Sequence, residues 1–152
     1  MQKERWLGKL IMAVDCINIV LVDDHKVVRE SWKILLERNP RLKIVGEASN
    51  GQDAIELVEK LLPDILLVDI NMSPANGFAV TQRIVESAPS VKIIGISVNN
   101  QSNYATQMLK LGAKGFLTKT SSLEEINRGI VEVYNGGKYI CEEIRKNMPP
   151  SD

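Results

Sequence analysis

The segment INIVLVDDHKVVRESWKILL, residues 17–36, contains the pattern that decides the fold. It opens with a nearly continuous apolar run, which is typical of a parallel strand covered by helices on both faces. Two acidic residues follow, and the second of them, Asp24, is a candidate helix N-cap. Apolar residues then recur at helical spacing at Val28, Trp32 and Leu36. The segment therefore predicts a buried strand that leads directly into an amphipathic helix.

The same alternation of strand and helix continues along the chain. Short apolar runs predict five strands, at residues 17–22, 42–48, 65–68, 91–97 and 114–118. The fourth predicted helix ends at Gly112, and the fifth opens on a capping box of Ser121 and Glu124. Because crossovers between parallel strands are right-handed and bury an apolar helix face, this order predicts an α/β fold. We expect a single domain with a flavodoxin-like, doubly wound, five-stranded parallel sheet in the order 2-1-3-4-5.

Length and composition limit the classes of function. A chain of 152 residues with 44% hydrophobic residues can form one core. Lys plus Arg and Asp plus Glu each total 19, so no net charge favours direct binding of nucleic acid or a membrane. The first apolar stretch is too short for a membrane span. The two cysteines, Cys16 and Cys141, form neither a metal-binding motif nor a disulfide framework, so a cytoplasmic location is expected.

Polar and charged residues stand at the ends of four predicted strands. Asp23 and Asp24 follow the first strand, Asp69 follows the third, Ser97 ends the fourth and Lys119 follows the fifth. Each alone has an ordinary explanation as a helix cap, a turn residue or a solvated charge. The carboxyl ends of parallel strands meet at one edge of the sheet. We therefore expect these side chains to share a site around the switch point between strands one and three.

Three carboxylates in one small site repel one another unless a cation neutralises them. Oxygen ligands in this number favour Mg²⁺, with Mn²⁺ as an alternative. Asp69 would then act as a carboxylate nucleophile towards a phosphoryl group, while the metal and the Lys119 ammonium balance the charge on the phosphoryl oxygens. The expected product is an aspartyl phosphate.

These residues resemble those of bacterial response-regulator receiver domains, over roughly residues 18–137. The matching segments are IVLVDDHKVVRE at 19–30, LLVDINM at 66–72, IIGIS at 93–97 and GFLTK at 115–119, with Gly77 eight residues after Asp69. The segment IVGEASNGQDAIELV, residues 44–58, resembles the LuxR/NarL-type subfamily, in which the receiver precedes a DNA-binding helix-turn-helix domain. The resemblance implies the CheY-like form of the predicted sheet.

The resemblance implies a role for each residue of the metal site. Asp24 would ligate the metal directly, and Asp23 would act largely through water. The carboxylate of Asp69 and the backbone carbonyl of Asn71 would complete the ligands that the protein supplies.

The resemblance also implies how the phosphoryl group is handled. Asp69 would accept it from a histidine kinase or a histidine phosphotransfer protein, so the chain would be an enzyme only towards its own phosphorylation and dephosphorylation. Ser97 would hydrogen-bond one phosphoryl oxygen and Lys119 would pair with another. Phe116 would be the aromatic switch that turns inward as Ser97 moves, although plain core packing explains a Phe at this position equally well.

Two asparagines and the single histidine complete the candidate residues. Asn71 and Asn99 lie two residues beyond Asp69 and Ser97, at positions that in this family flank the path of the hydrolytic water. They are expected to tune the lifetime of the phosphoryl group. His25 is expected to start a helix rather than to act in catalysis.

Three positions depart from the receiver pattern. Ser73 stands where a proline is usual, with Pro74 next to it, so the following loop is expected to take a different path. Val98 replaces a small residue, and its β-branched side chain is expected to narrow access for the phosphodonor. Thr120 replaces the usual residue after the lysine.

The predicted organisation is an N-terminal extension at residues 1–16, a receiver domain at 17–137, and the end of the last helix with a linker at 138–152. A DNA-binding domain is expected to be missing from this sequence, either because the sequence stops at the linker, as Pro149 and Pro150 favour, or because the receiver stands alone. Contact with DNA would therefore be made only through that missing domain. The receiver itself is expected to control an output domain or partner, with transcription as the expected output and a homodimer as one assembly.

Other functions fit the residues less well. A haloacid-dehalogenase-like phosphatase needs a second Asp two residues after the nucleophile, where this chain has Asn71. A flavin-binding protein needs a phosphate loop after strand one, and the acidic pair there would repel phosphate. The main alternative, prompted by Ser73 and Val98, is a receiver that acts without phosphorylation as an interaction or dimerisation module.

Overall fold

The computed structural model describes residues 16–149. Its strands are β1 (Ile17–Val22), β2 (Leu42–Ala48), β3 (Ile65–Asp69), β4 (Lys92–Ser97), β5 (Gly115–Thr118) and β6 (Tyr139–Ile140). Its helices are α1 (Lys26–Leu36), α2 (Gly51–Leu61), α3 (Gly77–Ser87), α4 (Ser102–Leu111), α5 (Leu123–Tyr134) and α6 (Glu142–Arg145). The predicted N-terminal extension, apart from Cys16, lies outside the described residues.

The strands form one parallel sheet in the order β2-β1-β3-β4-β5-β6. The first five strands confirm the predicted doubly wound order. The sheet also has a sixth strand beyond the predicted five, because β6 joins at β5, where Gly115 pairs with Tyr139 and Phe116 with Ile140. Because β6 has only 2 residues, it cannot show a periodic pattern of apolar residues, and the sequence therefore did not predict it.

Helices cover both faces of the sheet, as expected for parallel strands. Every residue of β3 and β5 is buried. Helix α1 contacts α5, while α2, α3 and α4 contact one another in series. The core residues that α1 and α5 supply are Trp32, Leu36, Ile126, Ile130 and Val133. This packing leaves the two ends of the sheet as the places where strand ends and loops are accessible.

Helix ends follow the expected chemistry, with two predicted caps displaced by one residue. Helix α4 ends at Gly112, whose φ of 113° lies in the left-handed region. Helix α5 is capped by Ser122, which accepts the Glu125 N–H, and not by Ser121. Likewise His25 rather than Asp24 occupies the N-cap position of α1. The adjacent residues Ser121 and Asp24 are also good capping types, so the sequence did not distinguish between the two registers.

Residues 138–149 differ from the predicted helix end and linker. Helix α5 already ends at Tyr134, and the chain then forms β6 and α6. Cys141 and Ile144 are both fully buried. The C-terminal part of the described chain is therefore packed on the domain, because two apolar side chains there reach the core.

None of the helices within residues 16–149 combines the length and the apolar character that a bilayer span requires.

Candidate functional site

The ends of β1, β3 and β5 bring three charged side chains together at the carboxyl edge of the sheet. Lys119 Nζ lies 2.8 Å from Asp23 Oδ2 and 3.1 Å from Asp69 Oδ2. Asp23 and Asp69 are 4% and 1% exposed, so both carboxylates are largely removed from water. The Lys119 side chain is only 15% exposed. One largely buried ammonium therefore faces two buried carboxylates.

The surroundings of Asp69 shift its protonation and that of its partner. Burial raises the pKa of Asp69 above its ordinary value. The backbone N–H of Asn71, 2.8 Å from Oδ1, and Lys119 Nζ, 3.1 Å from Oδ2, oppose that effect because they favour the ionised carboxylate. The pKa of Lys119 is raised: burial alone would lower it, but its hydrogen bonds to Asp23 and Asp69 and the negative charges of those carboxylates together outweigh burial. Lys119 is therefore a fixed positive charge rather than a base.

The carboxylates that contact Lys119 belong to a larger acidic cluster. Asp23, Asp24, His25 and Asp69 each place one possible metal-ligand atom within 4.8 Å of the others. Asp24 and His25 are exposed, while Asp23 and Asp69 are buried. Clustered carboxylate oxygens are the ligands that hard divalent cations prefer. The acidic cluster can therefore hold a metal ion, and its donor atoms fit Mg²⁺.

The loop between β1 and α1 is held by contacts that the sequence analysis missed. Arg29 Nη1 donates to the backbone carbonyl of Asp23 at 2.7 Å, and Arg29 Nε lies 3.2 Å from Glu47 Oε1. His25 starts the helix as predicted, but its ring also joins the acidic cluster, with Nδ1 2.9 Å from Asp24 Oδ1. An arginine or histidine in a first helical turn usually faces solvent, so neither residue carried a signal of its role.

The end of β4 contributes a buried hydroxyl and a linked pair of loops. Ser97 is fully buried, and its Oγ accepts the Asn99 N–H at 3.2 Å. The Asn71 side chain lies across from it, with Oδ1 3.5 Å from the Val98 nitrogen. The Lys119 N–H donates to the Ser97 carbonyl at 2.8 Å. These contacts place Ser97, Asn71 and Asn99 around the same edge of the sheet as Asp69.

Phe116 lies on β5 and is fully buried. It pairs in register with Gly95 of β4, and a Cβ built on Gly95 would lie only 2.9 Å from the Phe116 ring and 2.8 Å from Met108 Cε. The absence of a side chain at Gly95 is therefore what makes room for the Phe116 ring. The position is one of core packing, and the predicted rotamer switch stays a prediction.

A comparison with protein-family models identifies the class to which this fold and edge cluster belong. The model of the response regulator receiver domain matches residues 19–130. That range includes Asp23, Asp69, Ser97 and Lys119. The chain belongs to the response regulator receiver family, which confirms the resemblance stated above.

Individual relatives carry the assignment further. The chain is 36% identical over 132 residues to the transcriptional regulatory protein DegU of Brevibacillus brevis, covering 87% of this chain and 56% of that protein. It is 36% identical to the response regulator UvrY of Escherichia coli strain K12 and 32% identical to the response regulator GacA of Pseudomonas aeruginosa, over 87% of this chain in each case and 61% and 62% of those proteins. The chain thus spans 56% to 62% of the length of these curated relatives.

Solved structures agree with the fold. A LuxR-family response regulator from Aurantimonas sp. SI85-9A1 superimposes with a TM-score of 0.84 at 29% identity, over 87% of this chain and 94% of that one. The receiver domain of the response regulator NarL from Mycobacterium tuberculosis gives a TM-score of 0.76 at 30% identity, over 80% and 98%. The fold is therefore CheY-like, and the receiver is of the LuxR/NarL type.

Proposed function

We propose that Asp69 accepts a phosphoryl group from a histidine kinase or a histidine phosphotransfer protein and that this event switches the receiver. The observation that carries the proposal is the buried Asp69 carboxylate in contact with the Lys119 ammonium at 3.1 Å, beside an acidic cluster at the carboxyl edge of the sheet. A nucleophile and the charge that balances its product are thereby held together before a donor arrives.

The chemistry of transfer follows from these contacts. An oxygen of the Asp69 carboxylate forms a bond to phosphorus as the bond between phosphorus and the donor nitrogen breaks, and the donor imidazole leaves with the electron pair. The hydrogen bonds from Asn71 and Lys119 favour the ionised carboxylate, which is the nucleophilic form. Lys119 then pairs with a phosphoryl oxygen, and the Ser97 hydroxyl donates to another.

Asp23, Asp24 and Asp69, with the backbone carbonyl of Asn71, are the residues that would hold Mg²⁺ in this site. When bound, Mg²⁺ supplies positive charge that offsets the carboxylates and the phosphoryl oxygens. Asp23 and Asp69 are buried, whereas Asp24 is exposed and its side chain can change its contacts with little loss of packing. The Asn71 N–H donates to Asp69 and the Asn99 N–H donates to Ser97, so these two asparagines are the residues we propose to tune how fast water removes the phosphoryl group.

The output is proposed from the relatives. DegU, which this chain matches over 56% of its length, is a transcriptional regulatory protein. A receiver of this type would control transcription through a DNA-binding domain elsewhere in the full protein, with Phe116 and Ser97 transmitting the change to the α4–β5–α5 face. Direct contact between this receiver and DNA is not part of the proposal.

The direct test is to incubate the protein with Mg²⁺ and acetyl phosphate and to follow intact mass. The wild-type chain should gain the mass of one phosphoryl group, and Asp69→Asn should gain none. A gain that persists in Asp69→Asn would place the acceptor elsewhere. No gain in a folded, Mg²⁺-binding wild type would favour a receiver that works without phosphorylation.

That alternative is a receiver that works without phosphorylation, as an interaction or dimerisation module. It is favoured by Val98, an apolar branched side chain that is 58% exposed next to Ser97. Beryllofluoride, which mimics the acyl phosphate, separates the two functions. Saturable binding that depends on Mg²⁺ supports the phosphoacceptor, and absence of binding supports the interaction module.

A further inference from the structure

The C-terminal segment, residues 139–147, is built into the domain next to the site. It comprises β6, α6 and Asn147. The Cys141 N–H donates to the Phe116 carbonyl at 3.0 Å, and the Cys141 and Ile144 side chains are fully buried. The segment is therefore anchored to β5, the strand that leads into Lys119.

One side chain of this segment contacts the turn that carries Lys119. Glu143 Oε2 accepts from Thr118 Oγ1 at 3.1 Å and from Thr120 Oγ1 at 3.3 Å. These two threonines are the immediate neighbours of Lys119 on either side. Thr120 stands where the receiver pattern has another residue, and its hydroxyl supplies one of the two donors. The carboxylate therefore bridges the turn from outside.

The turn is also held by hydrogen bonds between its own residues, Thr118 and Ser121. Thr118 is 1% exposed, and its hydroxyl lies 3.1 Å from Ser121 Oγ, while its N–H donates to the same oxygen at 3.2 Å. A buried hydroxyl is stable only with partners, so this one favours the turn geometry in which Ser121 and Glu143 are both present. We call Thr118, Thr120, Ser121 and Glu143 the hydroxyl cluster.

The backbone of the turn connects the hydroxyl cluster to the phosphoryl site. The Lys119 N–H donates to the Ser97 carbonyl at 2.8 Å, and its Nζ contacts Asp69 at 3.1 Å. A second link runs from the C-terminal segment to the loop after β4, where Asn147 Nδ2 donates to the Asn100 carbonyl at 3.3 Å. Both loops that would contact the phosphoryl group are thus tied to the same stretch of chain.

We infer that Glu143 is a positioning residue for phosphoryl transfer: through Thr118 and Thr120 it fixes the turn that presents Lys119 to Asp69. The inference rests on the proposed function and extends it to the C-terminal segment. Small displacements of a charged group in such a site have large effects on binding of the reacting group. Because coupling between sites is reciprocal, phosphorylation should in turn change how firmly the C-terminal segment is held.

The first experiment measures amide hydrogen exchange in the unliganded protein by NMR. In Glu143→Ala, the Lys119 amide should exchange about fivefold faster, because the hydrogen bonds from Thr118 and Thr120 to a partly exposed carboxylate are lost. Amides in the centre of β3 should not change, which separates a local effect from lower global stability. Glu142→Ala removes an equal charge from the adjacent exposed position and should leave Lys119 unchanged.

The second experiment measures the affinity for beryllofluoride in the presence of Mg²⁺. Glu143→Ala should bind about fivefold more weakly than wild type, Glu143→Gln should recover part of the loss because its amide keeps an acceptor oxygen, and Glu142→Ala should bind as wild type does. Thr120→Val should weaken binding in wild type but have little further effect in Glu143→Ala.

The outcomes separate this inference from the proposed function. An unchanged Lys119 amide in Glu143→Ala, an equal effect of Glu142→Ala, or an unchanged affinity in Glu143→Ala overturns the positioning role. A wild-type chain that binds no beryllofluoride contradicts the proposed phosphoacceptor instead. In that case the exchange measurement still decides whether Glu143 holds the Lys119 turn.

Discussion

At the scale of single residues, the packing around the site depends on two glycines, where any side chain would collide with a neighbour. Gly95 has no side chain, and the Phe116 ring fills the space that a Cβ would need. Gly77, at the start of α3, approaches the end of β3 so closely that a Cβ there would lie 2.6 Å from Ile70 Cα. Gly95 lies on β4, which ends in Ser97, and Gly77 packs against Ile70 and the carbonyl of Asp69, so the packing at both glycines also affects the site.

Gly77→Ala is expected to destabilise the protein by about 2–3 kcal/mol, because the new Cβ would meet the Ile70 backbone at 2.6 Å and the Asp69 carbonyl at 2.9 Å. Backbone atoms cannot rotate away, so the loop after β3 must shift. Urea unfolding measures the loss. Gly137→Ala is the control, since a Cβ there would come no closer than 3.2 Å to any atom, with the Glu132 side chain and the Glu132 carbonyl oxygen both at that distance. Equal losses in both variants would show that close backbone approach is not the cause.

Val98→Ala is expected to speed phosphorylation by acetyl phosphate about threefold, because trimming a β-branched side chain that is 58% exposed beside Ser97 widens the approach to Asp69. The rate of mass gain at fixed Mg²⁺ measures the effect. Ile34→Ala is the matched control, as this β-branched residue is 64% exposed near the C-terminal end of α1, at the other end of the helix from the acidic cluster. A rate that does not respond to Val98→Ala would remove this residue as the cause of any slow phosphorylation.

At the scale of elements, two features of the sequence predicted most of the architecture: the runs of apolar residues and the polar residues that directly follow them. The apolar runs located the first five strands because buried parallel strands lose their polar positions. The residues directly after those runs located Asp23, Asp69 and Lys119, since strand ends share one edge of the sheet. Strand β6 was missed because two residues carry no period, and the role of Glu143 was missed because it depends on side-chain contact between distant segments.

Strand β6 contributes a titratable contact to the sheet edge. The Tyr139 hydroxyl donates to Glu125 Oε2 at 2.9 Å. Burial, the hydrogen bond to Glu125 and the charge of Glu125 raise the pKa of Tyr139 above its ordinary value of 10.0. Because the pKa is higher in the folded state than in the unfolded chain, the resulting stabilisation is complete below pH 10.0 and is lost as pH rises through the raised value.

The free energy of unfolding of wild type minus that of Tyr139→Phe should therefore fall as pH rises above 10.0. Urea unfolding at a series of alkaline pH values measures this difference, and absorbance of the tyrosinate follows the titration directly. In Glu125→Gln the pKa of Tyr139 should move back towards its ordinary value. A difference that stays constant with pH would exclude this contact as a source of stability.

At the scale of the whole molecule, the candidate site joins parts of the chain that only folding brings together. Asp23 follows β1, Asp69 ends β3 and Lys119 follows β5, so the ligands and the balancing charge come from separate strands. Without a metal ion, the positive charge of Lys119 faces the negative charges of two buried carboxylates, Asp23 and Asp69. A cation that binds the acidic cluster would therefore favour the folded state over the unfolded chain, in which the same carboxylates are far apart and hydrated.

Mg²⁺ is accordingly expected to stabilise the entire domain in a single transition, by about 2.7 kcal/mol at a free concentration one hundred times the dissociation constant. Thermal or urea unfolding at increasing Mg²⁺ measures the shift. Asp23→Asn removes a buried member of the acidic cluster and should abolish most of it, whereas Asp53→Asn, which removes an exposed carboxylate from α2, should not. Equal shifts in the two variants would mean that Mg²⁺ acts through general charge screening. A shift confined to wild type and Asp53→Asn would place the ion among Asp23, Asp24 and Asp69, where it can act in phosphoryl transfer.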